Sequence, residues 1–152
     1  MDNIYKTPES NLENKFQEKN YDFELYKITG IGLATFFATA LAGGVLLAIN
    51  FKRLGEEARA RNAIVYSILV VVILFVLTLL IPEDMNIPDV VFTAIQVVVM
   101  IQLTKQLQAK SITHHVINGG VMASNWKAFG VSLIVLAVLI AIFIPVFMFF
   151  MS

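Results

Sequence analysis

The chain has 152 residues, and its eleven Lys and Arg balance eleven Asp and Glu, so no net field is available to gather nucleic acid or acidic substrates. Hydrophobic residues make up 58% and charged residues 14%, about half the charged share of soluble domains, with a mean hydropathy of +0.78. Cysteine is absent, which excludes disulfides, thiolate nucleophiles and cysteine-ligated zinc or iron–sulfur centres.

Residues 1–27 form a polar segment with no apolar core, so no cleavable secretory signal is expected there. Residues 1–20 mix both charges without helical or strand periodicity and read as a tail. In Tyr21-Asp22-Phe23-Glu24-Leu25-Tyr26 apolar and acidic residues alternate, which predicts an interfacial segment at the headgroup layer.

The stretch 28–51 holds no ionisable residue and is bracketed by Lys27 and Lys52, giving about 36 Å of helix. A full crossing is expected, because broken backbone facing lipid is costly. The alternative is a break at Gly43-Gly44 that makes two re-entrant half-helices and leaves both ends on one side. Further spans are predicted over about 63–81, closed by Pro82, and over 87–105, which carries Gln96 and Gln102 and needs a snorkelling Lys105. The last runs over about 127–150 and contains Pro145. Residues 28–152 therefore read as an all-α integral membrane bundle of four transmembrane helices, or three plus a re-entrant first segment. Long unalternating apolar runs exclude a β-barrel.

The connections carry their own signals. Glu56 and Glu57 suit a first helical turn, with Glu57 placed to pair with Arg61. The 82–89 turn is acidic and sets Pro88 in the next helix's first turn. In the loop expected over 111–127, Asn118-Gly119-Gly120 stops one helix and Ser124 or Asn125 caps the next. Lys52, Arg53, Arg59 and Arg61 fill one loop and Lys105, Lys110 and Lys127 another, so loops 52–62 and 105–127 are expected to be cytoplasmic. The 82–89 turn and the C-terminus then lie outside, as does the tail if 28–51 crosses completely.

Gly30, Ala34, Ala38 and Ala42 recur every four residues and, with Gly44, form a small-residue stripe for packing inside the bundle or for self-association. Gln96 and Gln102 are candidates for interhelical hydrogen bonds, or for a pore lined also by Thr35, Thr39 and Thr93. His114 and His115, with Asn118 and Ser124 nearby, are the only foothold for an inner-loop site. Adjacent histidines on a helix diverge by about 100° and cannot chelate one ion as an i, i+4 pair would. No ionisable side chain occupies the middle of a span, which disfavours proton-coupled transport and voltage sensing. Trp126 and the group Phe143, Phe147, Phe149 and Phe150 read as two aromatic belts. No phosphate-binding loop, zincin or nucleophile-elbow motif occurs, and no metal or cofactor is expected.

The stretch GLATFFATALAGGVLLAINFKRLGEEARARNA, then IPED and HHVINGGVMASNWKAFG, resembles a group of small bacterial multi-pass inner-membrane proteins with no assigned activity. The likeness covers residues 28–130, with Asn50-Phe51-Lys52-Arg53-Leu54-Gly55 matching an Asn-aromatic-basic-x-Leu-Gly turn. The start Tyr5-x-Thr7-Pro8-x-Ser10-x-Leu12 is similar to that of several kinds of bacterial membrane protein whose tails are cytoplasmic. The expected role is a non-enzymatic accessory subunit or homo-oligomer, whose partners are the lipid bilayer and a second copy or another membrane protein. The alternative is an oligomeric channel or small transporter.

Overall fold

In a computed structural model, which describes residues 22–82 and 87–151, helices follow the apolar runs. They are α1 (Ile28–Arg53), α2 (Glu57–Leu80), α3 (Asp89–Ile117) and α4 (Asn125–Met151), with two short strands, β1 (Leu25–Tyr26) and β2 (Met122–Ala123). All four helices are long and apolar enough to cross a bilayer, so the chain is an all-α, multi-pass membrane bundle.

Helix ends fall where turn chemistry puts them. Gly55 and Gly119 adopt φ values of 80° and 81°, the left-handed conformation in which an L side chain is strained. Around Gly55 the Glu56 and Gly55 N–H groups return to the Phe51 and Lys52 carbonyls. Around Gly119 the Gly120 and Gly119 N–H groups return to those of His115 and Val116. Both are Schellman stops. Ser124 caps α4 by accepting from the Lys127 N–H at 3.3 Å. The acidic start of α2 makes its ion pair from Glu56 to Arg59 at 2.9 Å, one turn apart, in place of the expected Glu57–Arg61 pair.

Two boundaries differ from expectation. Helix α3 continues to Ile117, so most of the loop expected over 105–127 is helical. Lys105, Gln106, Lys110, Thr113 and His114 are exposed there, while Met100, Thr104, Gln108 and His115 keep one stripe buried and hold the helix on the bundle. The segment expected at the headgroup layer is docked on the protein. Leu25 and Tyr26 are buried, and β1 pairs in parallel with β2. Residues 1–21, which include the tail, and 83–86 of the acidic turn lie outside the described residues.

The largest correction concerns α1. Ala38 (φ −141°, ψ 29°) and Thr39 (φ 73°, ψ 176°) leave helical geometry, dividing α1 into a first limb, 28–37, and a second, 40–53. In an unbroken helix, residues 26 and 50 would stand about 36 Å apart. Here the Asn50 side chain hydrogen-bonds both the N–H and the carbonyl of Tyr26, at 2.7 and 2.9 Å. The limbs therefore run antiparallel and α1 returns to the end from which it started. The expected full crossing gives way to the re-entrant alternative, with the turn at Ala38-Thr39 and not at Gly43-Gly44. The cost of broken backbone at depth, which had favoured a crossing, is met by cover from protein, since Ala38 and Ala40 are each 1% exposed.

This hairpin is the centre of the molecule. Of its apolar stretch 67% is buried, against 6%, 11% and 11% for α2, α3 and α4, which pack on α1 and hardly on one another. The first limb is about 15 Å long, half the hydrocarbon thickness of a bilayer.

Candidate functional site

Small residues let the two limbs and their neighbours approach. A Cβ on Gly43 would collide with the Thr35 hydroxyl of the opposite limb. One on Gly32 would meet Ile101 of α3 at 2.9 Å, and one on Gly30 would meet Ala128 of α4 at 3.2 Å. Gly44 abuts Ser67 of α2. The predicted stripe is thus not one face. Gly30 and Ala34 lie on one limb, Ala42 and Gly44 on the other, and Ala38 sits in the break. All five are buried inside the bundle, so none of the stripe remains on the outside for self-association.

Two polar clusters hold the hairpin, one at each end. At its open end Asn50, fully buried, accepts from the Tyr26 N–H and donates to the Tyr26 carbonyl and, at 3.1 Å, to Gln108 Oε1. Gln108 in turn donates to the Leu47 carbonyl at 3.1 Å. One amide pair thereby ties the start of α1, its end and α3 together. Around it Arg53 donates to the Glu24 carbonyl and lies over the Tyr26 ring, while Lys127 pairs with Glu24 at 2.6 Å.

At the turn, Gln96 Oε1 accepts from the Ala40 N–H at 3.0 Å, satisfying a donor freed by the break. Thr39 is the N-cap of the second limb, its hydroxyl accepting from the Leu41 N–H at a long 3.4 Å. Its φ of 73° with ψ of 176° is a region almost confined to glycine, at a cost on the order of 1–3 kcal/mol. Replacing a threonine cap by glycine loses only a few tenths of a kcal/mol, so relief of strain dominates. Thr39→Gly is expected to melt at or above the wild-type temperature in detergent. Thr39→Ala, which keeps the strain and loses the cap, should melt below it.

The other predicted residues do not converge. Gln102 is exposed on α3, six residues from Gln96 and on another face. Thr35 spends its hydroxyl on the Ile31 carbonyl, and Thr93 bonds the Asp89 carbonyl. Of the residues proposed for a pore, Thr39 and Gln96 meet at the turn, while Thr35 and Thr93 bond carbonyls of their own helices. His115 is 1% exposed, stacked on Phe23 at 4.7 Å, with Nε2 3.2 Å from the Val121 carbonyl; a carbonyl only accepts, so Nε2 carries the proton in that bond. His114 is exposed and lies beside Asn118, while Ser124 is spent on capping. Among the described residues no three His, Cys, Asp or Glu gather where a metal could sit.

No family model, curated protein or solved structure matches the chain.

Sequence reasoning missed Asn50 and Gln108 as a site. Asn50 stands one residue before the end of the predicted 28–51 span and Gln108 lies beyond the 87–105 span, so neither was singled out as a buried partner. A usable signal was present: Gln96, Met100, Thr104 and Gln108 recur every four residues and mark one polar-containing stripe aimed inward.

Proposed function

We propose that this protein is a non-enzymatic component of the bacterial inner membrane that acts through helix–helix contacts, as an accessory subunit or a homo-oligomer. The observation that carries this reading is the half-length hairpin. On the far side of the Ala38-Thr39 turn no part of α1 lies between α2, α3 and α4, and α2 and α4 approach at Phe75 and Phe143, whose rings are 6.3 Å apart. Half of the bundle thus lacks a central element, while Ile73 and Leu79 on α2, Val98 on α3 and Ile134 on α4 stand exposed. Helices in lipid associate through van der Waals packing, which those bare faces offer. The buried polar side chains support a structural role. Thr35, Asn50, Ser67, Thr104, Gln108, His115 and Ser132 all make hydrogen bonds within the chain.

Orientation belongs to the same proposal. Lys27, Lys52, Arg53, Arg59, Arg61, Lys110 and Lys127 lie at the end where the hairpin opens, and Lys105 is near it. The positive-inside rule assigns that end to the cytoplasm, and with it the point at which the tail joins. The bacterial setting rests on the resemblance of residues 28–130.

Photocrosslinkers at Ile73, Val98 and Ile134 in native membranes are expected to capture a discrete protein, either a second copy or a partner. Lipid adducts alone from all three positions would overturn the reading. Cysteines at Asp22, Glu57 and Asn118 should label from the cytoplasmic side and one at Asp89 from outside. Labelling of positions 22 and 57 from opposite sides would refute the hairpin. The second reading, a channel or small transporter, is favoured by one feature, the helix broken beside Gln96. Flux through purified protein in liposomes that Gln96→Leu abolishes would make it the better account.

A further inference from the structure

Because α2 and α3 pack on the hairpin and hardly on each other, a groove of about 420 Å³ runs between them along the second limb. Leu47, Val70, Met100 and Leu103 make its walls apolar. Its deep end is at Ala40, beside the hairpin turn, and its mouth is at Phe51 and Arg59. From residue 59 to residue 70 along α2 is about 16 Å, close to the roughly 15 Å depth of one hydrocarbon leaflet. A partner helix would need the full thickness, whereas one acyl chain needs this length.

Arg59, at the mouth, is the one charged residue that lines the groove among the described residues. Arg59, Asn62 and Tyr66 line the groove from one stripe of α2. On α3, Lys110 follows Leu103 and Leu107 on one stripe and lies one turn beyond the mouth. Arg59 gives Nη1 to Glu56, and a guanidinium has further N–H groups with which to meet a phosphate. We infer that the groove holds one acyl chain of an anionic phospholipid from the leaflet at the cationic end, with its phosphate at Arg59 and Lys110. Basic pockets between transmembrane helices recognise lipid headgroups by the same chemistry.

Native mass spectrometry of the full chain, delipidated in mild detergent and titrated with phosphatidylglycerol or phosphatidylcholine of equal chain length, tests this. One phosphatidylglycerol should bind in preference to phosphatidylcholine, and Arg59→Gln and Lys110→Gln should each weaken it about fivefold while leaving phosphatidylcholine unchanged. Leu103→Trp, which fills the groove, should weaken both lipids. If that variant does not fold, the two surface charge variants decide. Equal binding of the two lipids to the wild type, or phosphatidylglycerol binding indifferent to both charge variants, overturns the inference. So does a photocrosslinker at Leu103 that captures protein and no lipid in native membranes.

Discussion

Replacing Asn50 by leucine is expected to destabilise the protein by about 3 kcal/mol or more, the largest effect of any single substitution considered. The value does not come from the bonds themselves, since interhelical hydrogen bonds in membranes average about 0.6 kcal/mol. It comes from what is left behind. Leucine strands the Tyr26 N–H, the Tyr26 carbonyl and Gln108 Oε1, and each buried polar atom without a partner costs about 1–3 kcal/mol. Gln108→Leu strands fewer atoms, chiefly one Asn50 donor, since the Leu47 carbonyl keeps its place in the α1 helix, and should cost less. Because the two amides share a bond, the double variant should lose less than the sum of the singles. Thermal unfolding in detergent, followed by helical circular dichroism, measures all three. A wild-type melting temperature for Asn50→Leu would mean that the hairpin ends are not joined as described.

Gly44→Ala should be the next most damaging, at about 1–3 kcal/mol, because the added methyl overpacks a closed interface. Its Cβ would lie 2.5 Å from Ser67 Cβ and closer still to the hydroxyl, and Ser67 is held by its bond to the Ala63 carbonyl. Rotating the hydroxyl away cannot relieve a clash with Cβ, so the second limb and α2 must separate. This distinguishes two rescues. Ser67→Ala removes only the hydroxyl and should not restore stability to Gly44→Ala. Ser67→Gly removes both atoms and should restore most of it, less about 1 kcal/mol for glycine within a helix. The same melting assay reads both, and equal rescue by alanine and glycine would show that the contact is looser than this geometry.

The buried face of α1 and the bare faces of its neighbours divide the labour within the fold. Polar contacts are concentrated at Asn50 and Gln96, the two places where a hairpin inside lipid would otherwise leave backbone groups unsatisfied. Elsewhere α2, α3 and α4 are free to meet lipid or protein along most of their circumference.

What the sequence determined by itself is the solvent, the number of long apolar helices and most of their ends. Apolar runs bounded by charges need no tertiary information to declare a bilayer, and Gly55, Gly119, Ser124 and Pro82 act through local backbone geometry that a single stretch of chain contains. The path of α1 was decided only by tertiary structure. A continuous helix and a hairpin of the same 26 residues have the same hydropathy, and no glycine or proline marks the break at Ala38-Thr39. What bends the chain there is a set of partners distant in sequence, Gln96 for the freed N–H and Asn50 with Gln108 closing the open end, 24 to 58 residues away along the chain. Such hydrogen bonds exist only once α1 and α3 are assembled, so local periodicity carries no trace of the turn they stabilise.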